Sequence, residues 1–105
     1  MKISKITDNN YTFYQEGDDY NLLLGAIKKG EDTTTELLFE EVENINKLSV
    51  SSTCGCTAVD RKVIDDHTVS VKIKYKDCDA TFSKVLNCNN NGKVFKIRVK
   101  GTCKN

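Results

Sequence analysis

Five cysteines and a single histidine are the residues of this 105-residue sequence best suited by type to metal, redox or nucleophilic chemistry. Cys54 and Cys56 flank Gly55. In an extended chain residues two apart point to one side, so both thiols would be presented together, and the glycine lets the backbone approach closely. Two thiols are half of a tetrahedral zinc site. The other half would have to come from Cys78, Cys88, Cys103 or His67, none of which forms a second C-x-C or C-x-x-C pair. Cys54 and Cys56 are therefore the candidate metal ligands, although the simpler role for these thiols is that of small apolar side chains in a core, and no cofactor is expected. Oxidising conditions would allow a disulfide between Cys54 and Cys56, or from either to Cys78, Cys88 or Cys103. Five cysteines fall short of a disulfide scaffold and an odd number leaves one unpaired, so reduced thiols in a cytoplasmic setting are the simplest expectation.

His67 is the one imidazole that could activate a cysteine nucleophile. It follows Asp65-Asp66 at the start of a strand pattern and reads as a solvated turn residue. Asp18-Asp19, Asp65-Asp66 and Asp77 with Asp79 lack the spacing of a calcium loop and suit turns instead. With no glycine-rich phosphate loop and no acid–base pair, catalysis is not expected.

The elements that carry these residues are strands. His67 to Tyr75 alternates strictly, with Val69, Val71, Ile73 and Tyr75 on one face and Ser70, Lys72 and Lys74 on the other. Val94 to Lys100 repeats the pattern, with Phe95, Ile97 and Val99 inward and Lys96, Arg98 and Lys100 outward. Between them Thr81 to Asn87 breaks the alternation, because Phe82 and Leu86 share a face with Lys84, so a bulge or an edge position is expected there. Asn91-Gly92 can take the positive φ angles of a tight hairpin and predicts antiparallel pairing of the last two strands. Tyr11 to Tyr14, Tyr20 to Ile27 and Leu48 to Ser52 are further strands. Thr33 to Val42 reads as a strand despite its Glu and Leu content, because β-branched threonines lead it. About seven short strands over residues 1–105 predict one all-β domain, an antiparallel sandwich of immunoglobulin type.

Charge narrows the partners. The 16 basic and 15 acidic side chains leave a net charge of +1, without the basic excess that phosphate contacts demand, so no nucleic-acid partner is expected. Met1 to Asp8 contains no apolar run suited to a secretory signal or a membrane span, so no membrane insertion is expected. The rows Lys72, Lys74 and Lys96, Arg98, Lys100 are the candidate interaction residues. They would form one basic face if their strands shared a sheet, and otherwise serve as ordinary solvated outer faces. Proline and tryptophan are absent and only two arginines occur, a usage that suggests an AT-rich coding sequence.

Leu48 to Gly101 resembles a bacterial and phage Ig-like domain family of unknown function, akin to the Hydin-type domains. Its hallmark is a Cys-Gly-Cys-Thr motif at a strand end, here Cys54-Gly55-Cys56-Thr57, followed by an alternating strand, a phenylalanine-bearing strand and a closing strand ending in glycine. Asp65-Asp66 stands where that family usually has a proline-glycine turn, and its members are commonly exported. The resemblance implies an Ig-like fold with a binding or scaffolding role and no catalytic activity. A domain of this kind is expected to bind a protein, and to assemble onto something larger. The leading expectation is a phage virion component, such as an auxiliary decoration protein on a capsid assembled in the host cytoplasm. The alternative is an exported envelope or periplasmic binding domain. A third, from another class, is a small metal or redox protein using Cys54 and Cys56.

Overall fold

The computed structural model describes residues 1–7, 10–28, 33–52, 57–75 and 81–104. Among the described residues nine strands run in chain order: β1 (Lys2–Lys5), β2 (Thr12–Glu16), β3 (Asp19–Lys28), β4 (Thr33–Glu40), β5 (Leu48–Ser52), β6 (Thr57–Asp65), β7 (Thr68–Tyr75), β8 (Thr81–Asn90) and β9 (Lys93–Lys104). A 3-10 turn, Ile45–Lys47, precedes β5 and is capped by the Asn44 side chain, whose Oδ1 accepts from the Asn46 N–H. Two strands exceed the seven predicted, namely β1 and β6.

The strands form a four-stranded sheet in the order β1-β4-β7-β6 and a five-stranded sheet in the order β2-β3-β9-β8-β5. The first sheet and the β5-β8-β9 part of the second follow the ABED and CFG arrangement of an immunoglobulin fold. To this β3 adds itself parallel to β9, and β2 pairs antiparallel outside β3. The sandwich is all-β, as the strand patterns predict.

Alternation decides which side chains fill the space between the sheets. From the four-stranded sheet come Leu37, Phe39, Val69, Val71, Ile73 and Tyr75, and from the five-stranded sheet Leu22, Leu24, Leu86, Phe95, Ile97 and Val99, all buried. Each such side chain contributes about 1.5–3 kcal/mol when taken out of water. At one end of the sandwich Tyr75 stacks on Phe82 with ring centroids 4.2 Å apart, and at the other Tyr20 meets Phe95 edge-on at 5.7 Å.

Glycine and asparagine set the chain reversals. The β8–β9 hairpin closes through Asn91 at φ 53° and Gly92 at φ 93°, with Asn90 opposite Lys93. This is the antiparallel pairing that Asn-Gly predicts. In β3, Gly25 at φ 66° takes up a bulge against β9, after which Ile27 again points inward.

Of the bulge or edge position predicted for this stretch, the structure shows the edge position: the register of β8 with β9 is continuous from Thr81 to Asn90. β5 pairs only with Leu86–Asn90, so Lys84 shares the inward side of Phe82 and Leu86 where the strand has no β5 partner, and its stem lies half-buried.

Candidate functional site

The two basic rows lie on opposite faces of the sandwich. Lys72 and Lys74 project from β7 in the four-stranded sheet, and Lys96, Arg98 and Lys100 from β9 in the five-stranded sheet. Identical alternation in two strands is compatible with a single basic face; strand order separates them.

Their surroundings differ. Lys72 stands between Glu36 of β4 and Asp60 of β6 in the ladder, so carboxylates flank it on both sides. Glu36 also accepts a hydrogen bond from the Ser70 hydroxyl at 2.5 Å. Lys74 lies between Thr34 and Ala58. This outer face is a checkerboard of charge.

On β9 the cross-strand neighbours of Lys100 are Leu23 and Ser83, and those of Arg98 are Asn21 and Val85. Two carboxylates lie on this face, Glu16 at the end of β2 and, opposite it, Asp19 at the start of β3. The Asp19 carboxylate accepts the Lys96 N–H at 2.9 Å and an Arg98 Nη1–H at 3.1 Å. The backbone N–H first, and the Arg98 guanidinium after it, hold the Asp19 carboxyl below its usual value despite the opposing effect of burial. Arg98, with a third of its side chain exposed, is thereby held in place at the surface.

Arg98 belongs to a row running Tyr14, Asn21, Arg98, Val85 across β2, β3, β9 and β8. Asn21 is buried within that outer face and donates from Nδ2 to Glu16 Oε2 at 3.3 Å, while Tyr14 is 42% exposed. In the direction of Lys100 the same face sinks into an open, mainly apolar depression of about 690 Å³, lined by Leu23, Ala26, Ser83, Lys100 and Thr102 above Gly101. Tyr14, Asp19 and Leu23 carry no signal in the sequence that would single them out; the long-range parallel pairing of β3 with β9 is what brings them to the basic row.

The cysteine chemistry is placed only in part. Cys54 and Cys56, the candidate metal ligands, and Cys78 lie outside the described residues, as does the Asp77/Asp79 pair. Cys88 is a free thiol 1% exposed in the core, and burial pushes its pKa up to about 12, so it is a small apolar side chain rather than a nucleophile. Cys103, near the end of β9, is disulfide-bonded. The expectation of uniformly reduced thiols is corrected there.

His67 sits in the two-residue β6–β7 turn. Its Nδ1 lies 2.9 Å from the Val42 carbonyl oxygen, its own carbonyl accepts the Val42 N–H, and its N–H donates to Asp65 at 2.8 Å. That last bond holds the Asp65 carboxyl below its usual value. The imidazole ties the turn to the end of β4, which is a structural task. Glu40, Glu41, Asp65 and Asp66 gather around it. Among the described residues no group of three or more His, Cys, Asp or Glu side chains is arranged to hold a metal ion.

Sequence reasoning missed one further residue, Arg61. On the β6 edge it points inward and its guanidinium donates to the carbonyl oxygens of Ile45 and Leu48, joining the edge of one sheet to the segment that enters the other. An arginine amid Asp60 and Lys62 carries no signal that would single it out.

No protein-family model matches the chain, and no curated protein matches it. Among solved structures it is similar to the BIgI domain of beta protein from S. agalactiae bound to CEACAM1, with a TM-score of 0.53 over 98% of this chain and 97% of that one, at 14% identity. A likeness at that identity speaks for the fold. The chain is an all-β protein with an Ig-like sandwich fold, matched end to end by a bacterial Ig-like domain.

Proposed function

We propose that this chain is a non-enzymatic protein-binding module, and that it meets its partner through the outer face of β2, β3, β9 and β8, with Lys96, Arg98 and Lys100 set against an acidic surface. The observation that carries this reading is Arg98, held at the surface by Asp19, with Lys100 next to it on the same face. Lys72 stands between Glu36 and Asp60 within its own sheet, whereas Lys100 has Leu23 and Ser83 beside it. Uncompensated charge steers encounter and selects partners. Arg98 and Tyr14 are of the residue types that carry binding energy, and Asp19 fixes Arg98 before the partner arrives, which lowers the entropy lost on docking. The depression beside Lys100 would take an apolar side chain of the partner. That the similar domain is bound to CEACAM1 in its own structure supports a binding role for a sandwich of this kind.

Two settings fit such a module. The disulfide at Cys103 supports an exported envelope or periplasmic domain, because disulfides persist in oxidising compartments. The reading as a capsid decoration protein in a virion rests on fold-level analogy. No helix among the described residues is long and apolar enough to cross a membrane.

The test is sedimentation of a native extract, with the chain followed by peptide mass spectrometry, for the wild type, Lys96→Glu/Arg98→Glu/Lys100→Glu and Lys72→Glu/Lys74→Glu. The reading expects the wild type and the β7 variant to travel with a larger assembly and the β9 variant to be released. Retention of the β9 variant would overturn the assignment of the face. Recovery with envelope or with virus particles separates the two settings.

A further inference from the structure

The two sheets end in four edge strands, and these are unequal. β1 has four residues, β2 and β5 have five, and β6 has nine. An edge strand carries a row of unpaired backbone groups that can accept another strand, and proteins ordinarily blunt it. β6 has two such devices, the inward Arg61 and a bulge between Val63 and Asp65. Even so, Val63 is 50% and Ile64 53% exposed, two adjacent large apolar side chains on the longest edge.

The order of residues on that edge is self-complementary. Pair the strand antiparallel with a second copy about Arg61, and Asp60 of each copy stands opposite Lys62 of the other, while Val59 stands opposite Val63. Each contact occurs twice by symmetry. The outer face gains two opposite-charge pairs and the inner face two valine pairs, which are the kinds of cross-strand contact that stabilise a sheet. Registers one step away do the reverse, since centring on Asp60 sets two aspartates against each other and centring on Lys62 sets two lysines. Arg61 itself meets Arg61 at the axis, but each guanidinium is engaged by carbonyl oxygens of Ile45 and Leu48 in its own chain. The bulge at Ile64 falls outside the five residues that pair.

We propose that β6 is a self-association edge, through which two copies of this chain pair antiparallel over residues 59–63 in the register centred on Arg61, joining their four-stranded sheets into one. This surface is separate from the β9 face.

Sedimentation equilibrium of the purified chain, from micromolar to millimolar, tests the proposal with Asp60→Lys and Lys62→Asp. Each variant alone turns two attractive pairs into two repulsive ones and is expected to weaken association by roughly tenfold or more. An equimolar mixture of the two variants sets a strand basic at both positions against a strand acidic at both. That restores two opposite-charge pairs across the axis, and the mixture is expected to regain the dimer. Lys62 lies opposite Ser70 in its own sheet, and far-UV circular dichroism will check that each variant keeps the fold. A wild type that stays monomeric at millimolar concentration, variants that associate like the wild type, or a mixture that stays monomeric would each overturn it.

Discussion

Replacing Gly101 with alanine adds one methyl group at a place with no room for it. Gly101 points inward on β9, directly across the ladder from Phe82. A Cβ there would stand 2.7 Å from Phe82 Cζ and 2.8 Å from the Gly25 carbonyl oxygen, against the roughly 3.5–4 Å at which carbon atoms rest. Neither neighbour yields cheaply. The Phe82 ring is stacked on Tyr75 at 4.2 Å with planes 12° apart, and the Gly25 carbonyl belongs to the bulge that lets β3 run beside β9. Overpacking of this kind costs about 1–3 kcal/mol. In a domain of this size each kcal/mol lowers the melting temperature by about 4–8 °C. Urea and thermal unfolding followed by circular dichroism will read the loss. In a Phe82→Leu background one of the two contacts is relieved, so Gly101→Ala should cost less there, and the difference is the coupling between the two sites. A Gly101→Ala cost within about 0.5 kcal/mol of zero, or one that is the same with and without Phe82, would refute the close-approach argument.

Three further outcomes follow from named contacts. Arg61→Ala removes both donors to the Ile45 and Leu48 carbonyls and should cost about 1–2 kcal/mol in urea unfolding at a concentration where the chain is monomeric; Arg61→Lys should not recover it, because an ammonium cannot fork to both oxygens. Asp19 and Asp65 are held below the usual carboxylate value by the N–H groups of Lys96 and His67, so their ionised forms add stability above about pH 4 that is lost as pH falls through the lowered folded values. Thermal unfolding across that acid range should therefore fall less steeply for Asp19→Asn than for the wild type. Cys88, pushed up to about 12 by burial, should escape iodoacetamide in the native protein and react only in denaturant, as peptide mapping will show.

Strands with one clean buried face were legible. β7 and β9 each bury alternate apolar residues, Val69 to Tyr75 and Phe95 to Val99, and Asn91-Gly92 announced the hairpin that ends the fold. β6 was hidden because it is an edge. Its inward positions hold Thr57, Val59, Arg61 and Val63, so a charged residue interrupts the apolar period where the guanidinium bridges the sheets. β1 was hidden by its length of four residues. The candidate site was legible in its charges and illegible in its company. Alternation says which side of a strand meets water and nothing about which sheet the strand joins, so Lys72 and Lys100 read alike until strand order set one between carboxylates and the other beside Leu23. Asp19 and Arg98 lie far apart in the chain and come together only because β3 runs parallel to β9.

The most direct test of the binding face is site-specific photo-crosslinking in the source extract, with the photoreactive residue placed at position 100 on β9 or at position 74 on β7. The account predicts a discrete crosslinked species from position 100, abolished by Arg98→Glu, and none from position 74. A partner captured from position 74, or none from position 100, would contradict it.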